Sequence, residues 1–345
     1  MVRRREPAGS PQRSGPSLLA NHGDQRRAEP DRCDRQRDDS DGRVNFEESA
    51  ITFACRGEML TGILSQPEQA SDTTVIVVVG GPQYRVGSHR QFLQLARHLA
   101  RQGYPVLRFD GRGMGDSSGL LRSFEEIDDD IGAAIGTITA RRSNSKIVLW
   151  GLCDGASAAL MYWHTTRDPR VSGLVLCNPW VRSEISLARA QVKHYYTRRL
   201  MQREFWSKLL RGGIGASALT GLALRATSAM RRVTLETHNA GPMSRQPFQQ
   251  RMADACLQFP GKILLMLSGQ DLTAKEFVEQ VKASPVWRSA INSKKVTRAD
   301  LHQANHTFSD PRDSAEVEAL TLHWLDAMTK KSHRIQAKIH EISTY

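Results

Sequence analysis

Cys153, Asp271 and His306 are the residues of this chain whose types and order could transfer an acyl group. Cys153 stands in Gly151-Leu152-Cys153-Asp154-Gly155, a nucleophile-elbow pentapeptide with cysteine where serine is usual. An elbow holds its nucleophile on a strained strand-to-helix turn, so the flanking positions must lack side chains for strand and helix to approach. The same turn sets the sulfur near a helix N-terminus, where free N–H groups favour a thiolate. Nucleophilic catalysis then needs a base directed at the sulfur and an acid that orients the base and stabilises its cation. His306 lies in the loop before the last expected helix, and Asp271 ends the strand-and-turn Ser268-Gly269-Gln270-Asp271. Their order along the chain, nucleophile then acid then histidine, is the one elbow hydrolases use.

Each assignment has a competitor. His302 is four residues from His306 in the same loop; a surface role is preferred for it, because Asn305-His306-Thr307-Phe308 abuts the helix. Asp271 also suits a helix N-cap before Leu272-Thr273-Ala274, although its strand-end setting favours catalysis. An oxyanion needs two convergent donors. One is expected from the backbone N–H of Asp154. The other belongs to the turn after the 75–79 strand, where Pro82 has no N–H and either Gly81 or Gln83 supplies it.

The elements around these residues alternate. Residues 48–65 read as a hairpin turning at Arg56-Gly57-Glu58. The β-branched run at 74–80 reads as a strand buried on both faces. A helix is expected over 88–102, with Phe92, Leu95, Ala96 and Leu99 on one face and Gly103 as its stop. Strands follow at 105–110, 146–151, 171–178, 262–271 and 294–299, with helices at 124–141, 154–166, 274–282 and 311–330. Strands and helices at this spacing require a mostly parallel sheet with helices on both faces. With the opening hairpin and the elbow, that is the order of the α/β-hydrolase fold. The core is therefore expected in 44–180 and 254–330. Residues 181–253 break the alternation as a helical cap insert, and 331–345 form a polar, frayed tail. The Asp110-Gly-Arg-Gly-Met-Gly-Asp-Ser117 run reads as a structural turn, with Arg112 and Asp110 pinning neighbouring loops. Tyr84, Arg85 and His89 suit a pocket lining and a solvated loop equally.

The net charge of +12 is unevenly placed. Residues 181–232 carry eleven Lys or Arg against Glu184 and Glu204, so the basicity belongs mainly to the insert. An acidic substrate, an anionic lipid surface or a polyanionic polymer would suit that charge, as would a solvated helix face. Residues 1–43, rich in Arg, Asp, Pro and Ser, have too few apolar side chains to offset chain entropy and read as a disordered head. Interleaved acids and missing aromatics argue against a nucleic-acid-binding arm there. Five scattered cysteines without a CxxC pair argue against a disulfide framework or a zinc site, and for a reducing compartment. No apolar run is long enough to span a membrane and no signal peptide is evident, so the cytoplasm is expected. No cofactor and no metal are expected.

Gly80-Gly-Pro-Gln-Tyr-Arg-Val-Gly-Ser-His-Arg-Gln-Phe92, Phe109-Asp-Gly-Arg-Gly-Met-Gly-Asp-Ser117, Gly151-Leu-Cys-Asp-Gly-Ala-Ser157 and His306-Thr-Phe308 together resemble the exosortase A system-associated hydrolase 1 family. The resemblance covers about residues 45–330. It implies an α/β-hydrolase with Cys153 as nucleophile and a role near surface polysaccharide or protein sorting, without implying a substrate. A cysteine at the elbow is also similar to dienelactone hydrolase, from which the long insert departs. The reading is a cysteine-dependent hydrolase or acyltransferase acting on an ester or thioester. The alternative, a non-catalytic binding protein on a hydrolase scaffold, would be expected to have lost part of the triad.

Overall fold

A computed structural model of the chain describes residues 44–81, 83–182 and 246–343, with side chains as far as residue 329. The expected head and most of the expected cap insert lie outside the described residues.

The chain opens with an antiparallel hairpin, β1 (Phe46–Cys55) and β2 (Glu58–Pro67). Its two-residue turn puts Arg56 and Gly57 at φ 51° and 84°, the left-handed pair whose twist matches the flanking strands. Next come β3 (Thr73–Val78), a short turn of 3₁₀ helix at Ser88–Arg90, α1 (Gln91–Arg101) and β4 (Val106–Phe109). They are followed by α2 (Asp128–Arg141), β5 (Lys146–Leu152), α3 (Asp154–Thr166) and β6 (Val171–Cys177). After residue 246 the chain forms α4 (Phe248–Gln258), β7 (Lys262–Ser268), α5 (Leu272–Ala283), α6 (Pro285–Ile291), β8 (Val296–Leu301) and α7 (Pro311–Ser343).

The strands make one eight-stranded sheet in the order β1-β2-β4-β3-β5-β6-β7-β8. β1, β2 and β4 pair antiparallel, and every pairing from β4 through β3 to β8 is parallel. All six residues of β3 are buried, as a central strand covered on both faces requires. One face packs against α2 to α6 and the other against α1 and α7. Trp150 of β5 anchors the second face, edge-on to Phe92 with ring centroids 5.7 Å apart.

Some expected elements differ. The helix expected from Ser88 begins at Gln91, because His89 and Arg90 take φ 52° and 62°. A β-carbon on Gly87 would collide with Phe92, so the chain turns sharply there to bring that ring onto the sheet. The helix expected from Phe124 begins at Asp128, while Glu126 holds Ser123 in a preceding turn (3.2 Å). α6 was not read from the sequence; Ser284 caps it and Pro285 opens it. The insert boundary expected at Ala253 falls inside α4, whose Met252, Ala253, Ala255 and Cys256 are buried in the core. The last helix continues through the expected tail to Ser343.

Candidate active site

The register of β5 decides where Cys153 stands. Gly151 lies beside Val78 and Leu176, and Leu152 beside Cys177, so Cys153 emerges at the carboxyl edge of the sheet's centre. Cys153 has φ 60° and ψ −124°, a conformation a non-glycine side chain holds only under surrounding constraint. That constraint is visible. Its N–H donates to Cys177 O (2.9 Å), and its carbonyl accepts from the N–H groups of Ala156 (3.1 Å), Ser157 (3.2 Å) and Trp180 (3.2 Å). Gly151 and Gly155 make the turn possible: a β-carbon on Gly151 would collide with Gly155, and one on Gly155 with Val78 O.

The loop after β8 brings His306 to the same edge. Its Nδ1 lies 2.9 Å from Asp271 Oδ2. Asp271 is 5% exposed and its carboxylate also accepts from the N–H groups of Thr273 (3.0 Å) and Ala274 (3.1 Å). The N-cap and the histidine partner are thus the same carboxylate. Burial pushes Asp271 up, but the His306 bond and charge and the two backbone donors outweigh it and hold the carboxyl below its ordinary range. Hydrogen bonding to Asp271, and next to Cys153, pushes the His306 imidazole up to about 10 against the opposing effect of burial. His302 is exposed, and its backbone packs on Gly269.

The turn after β3 faces the elbow from the other side. Gln83 donates its N–H to Gly81 O (2.8 Å), which takes it away from an incoming substrate. The Asp154 carboxylate lies against this turn, near Gly80 and Gly81, and burial raises its pKa against the backbone N–H groups of Gly81, Asp154 and Gly155. Arg85 is buried and bonds the carboxylate of Asp110, whose Oδ1 also accepts from the Arg85 N–H (2.7 Å). Arg112 pairs with Asp130 of α2, and its N–H reaches Asp130 Oδ2 (3.0 Å), so Asp110 and Arg112 each pin a neighbouring segment. The Asp110 run is therefore a structural turn that fixes the β3 turn through Arg85. Arg85 is part of that clamp, while Tyr84 is exposed.

Asn178 was missed in the sequence. It is fully buried at φ 46°, accepts from Ser268 N–H (2.8 Å), and donates to Ser268 Oγ (2.9 Å) and His306 O (3.4 Å). It ties the ends of β6 and β7 to the histidine loop. Its place directly after the strand next to the elbow was the available signal. Among the described residues no group of three or more His, Cys, Asp or Glu gathers as a metal site would, and no helix is long and apolar enough to cross a membrane.

An eight-stranded, mostly parallel sheet with an elbow after β5, and an acid and a histidine at the ends of later strands, defines an α/β-hydrolase. The chain belongs to the hydrolase family described as serine aminopeptidase, S33, which matches residues 71–253, more than half of its length. Phospholipase YtpA of Bacillus subtilis is 29% identical over 119 residues, a match that spans 34% of this chain and 44% of that protein. Among solved structures, the Pyrococcus furiosus esterase Pf2001 shares 16% identity and a TM-score of 0.54, over 82% of this chain and 93% of the esterase. Est1E from Butyrivibrio proteoclasticus, solved with ferulic acid bound, shares 13% identity and a TM-score of 0.51, over 81% of this chain and all of its own. These structural likenesses are likenesses of fold.

Proposed function

We propose that the protein is a cysteine-dependent acyl hydrolase acting on an ester or thioester, with Cys153 as nucleophile, His306 as acid and base, and Asp271 orienting His306. The observation that carries this reading is the His306 ring bonded to the buried Asp271 carboxylate at the same sheet edge as a strained elbow thiol, which itself helps to raise the imidazole. The Cys153 thiolate attacks the acyl carbon, and the carbonyl electrons move onto oxygen, stabilised by the N–H groups of Asp154 and Gly81. As the tetrahedral intermediate collapses, the bond to the leaving group breaks and His306 gives it a proton. Acylation removes the thiolate, and with it the second-largest effect that keeps His306 protonated. The neutral ring can then take a proton from water as water attacks the thioester. The C–S bond breaks, the acid product leaves, and thiolate and imidazolium return.

The family is named for serine, and the cysteine here makes the acyl-enzyme a thioester. The phospholipase relative supports an ester substrate, and the basic residues of 181–232 suit an anionic one or a lipid surface. The sequence resemblance supports a place beside exopolysaccharide and exosortase systems. The domain division goes with this reading, corrected at its end: the insert caps the site as far as the start of α4, and 1–43 are dispensable to it. A panel of alkyl esters and thioesters, run on the protein and on Cys153→Ala, tests the chemistry. Hydrolysis that Cys153→Ala abolishes supports it. Hydrolysis that survives removes the nucleophile, and no hydrolysis of any member favours a binding protein.

A further inference from the structure

The segment from Cys177 to Trp180, where β6 runs out, reaches the backbone around each member of the triad. Cys177 O accepts the N–H of Cys153 (2.9 Å), and the Trp180 N–H donates to Cys153 O (3.2 Å), so both polar groups of the Cys153 main chain are held by it. Asn178 stands between those two residues, and its side chain serves the other two members. Its Oδ1 accepts from the Ser268 N–H (2.8 Å) at the end of β7, just ahead of Asp271. Its Nδ2 donates to Ser268 Oγ (2.9 Å) and to His306 O (3.4 Å), and its own N–H donates to Met266 O (3.0 Å). Asparagine suits the position. A carboxamide offers an acceptor and two N–H donors, and asparagine tolerates φ 46° better than most residues with a β-carbon.

The histidine loop needs such a tie. Within it the bonds close on themselves: Asn305 Oδ1 accepts from the N–H groups of Thr307 (3.2 Å) and Ser309 (3.2 Å), and the Phe308 N–H donates to Asn305 O (3.3 Å). Those bonds fix the shape of the turn but not its place over the sheet. Phe308, buried at φ 52°, holds the turn to the core by packing. The Asn178 amide holds the main chain of His306 itself. We propose that Asn178 is a positioning residue: its amide sets His306 at reacting distance from Cys153, because the segment that carries it also holds the Cys153 backbone. This rests on the Cys153, His306 and Asp271 reading of the site. Proton transfer tolerates little displacement, and a shift of about 1 Å can cost about a hundredfold in rate. Ester binding makes no use of the amide, so its loss should fall on kcat.

Asn178→Gly in the full chain tests this, since glycine keeps the left-handed backbone and removes the side-chain bonds. With an alkyl ester that the protein hydrolyses, its kcat should fall at least about tenfold while KM holds. The alkaline limb of its pH profile should move down, because a ring drawn away from Asp271 and Cys153 loses the contacts that keep it protonated. Iodoacetamide should also label its Cys153 more slowly. Ser268→Ala loosens the strand ends but leaves Nδ2 free to bond His306 O, so its urea midpoint should fall while kcat and the limb stay. Asn178→Gly with unchanged kcat and limb, or Ser268→Ala with the same loss of kcat, overturns the proposal: Asn178 would then only join strand ends. If Asn178→Gly does not fold, Asn178→Asp decides. It has the same shape and still accepts from the Ser268 N–H but has no N–H for His306 O, and an unchanged kcat there overturns the proposal equally. Cys153→Ala and His306→Ala run alongside. Activity that survives in either fails the triad and takes this proposal with it; activity lost in both, with Asn178→Gly fully active, fails this proposal alone.

Discussion

Cys55, Cys177 and Cys256 are quiet thiols for a reason that sets them apart from Cys153. Burial pushes Cys55 and Cys256 up to about 12, with Asp130 adding to the effect at Cys55, and burial alone pushes Cys177 well above its ordinary value. Cys153 is half-buried and sits by His306, whose imidazole is pushed up to about 10 by Asp271 and by Cys153. Only the thiolate is alkylated readily. Iodoacetamide at neutral pH should therefore label Cys153 ahead of those three, as peptide mapping would show. His306→Ala should slow the labelling and abolish turnover, while His302→Ala should do neither; a dead His302→Ala would reassign the base. The pH profile follows from the same ring. His306 stays protonated through neutrality and loses its proton only as pH rises through about 10. Hydrolysis of an alkyl ester, whose leaving group needs that proton, should fall off in the same range. Asp271 makes the largest contribution to the raised value, so Asp271→Asn should move that limb down toward the ordinary histidine range. A limb that stayed in place would mean Asp271 does not hold the imidazolium.

At the scale of elements, the glycines of the elbow and those of the outer helices should respond oppositely to one methyl group. A β-carbon on Gly155 would meet Val78 O, and neither backbone can yield without moving α3 off β3. Gly155→Ala should cost at least about 1–3 kcal/mol, as overpacking does, together with activity. Gly136 lies in α2 with nothing within 4 Å of its added carbon. Gly136→Ala should stabilise by about 0.5–1 kcal/mol by helix preference and leave activity alone. Urea midpoints measure both, and equal signs would contradict the packing described. Several elements were legible because their residues answer to one local rule. β5, α3 and the elbow between them follow from an apolar run, a glycine pair and a small-residue helix. Partner choice among charges was not legible in the same way. Arg85 takes Asp110 and Arg112 takes Asp130 because the β3 turn and α2 approach the β4 loop from different sides. That geometry belongs to the tertiary fold. The kink at His89-Arg90 and the short α6 were hidden for a related reason: both adjust the chain to bring Phe92 and Trp287 onto core rings already placed by other elements.

For the whole molecule, Cys153, Asp271 and His306 could be set in order from the sequence because a parallel sheet collects its strand ends at one edge. The Asp154 carboxylate in the β3 turn, and Asn178 under the histidine loop, depend on how three strand ends meet. The basic residues of 181–232 belong to this scale too. Neutralising Arg198, Arg199 and Arg203 should raise KM for an anionic ester and leave a neutral one unchanged if their field steers substrate, an effect that salt should screen. Equal changes for both esters would assign those charges to solvation.

The central claim is a covalent thioester at Cys153, and a rapid acid quench followed by intact-mass and peptide mass analysis measures it directly. Mixed with an ester it hydrolyses, the protein should gain the mass of one acyl group on the peptide containing Cys153. Neutral hydroxylamine should remove that mass, and His306→Ala should not acquire it. Steady turnover with no acyl mass on Cys153, or with the mass on another residue, would contradict the account.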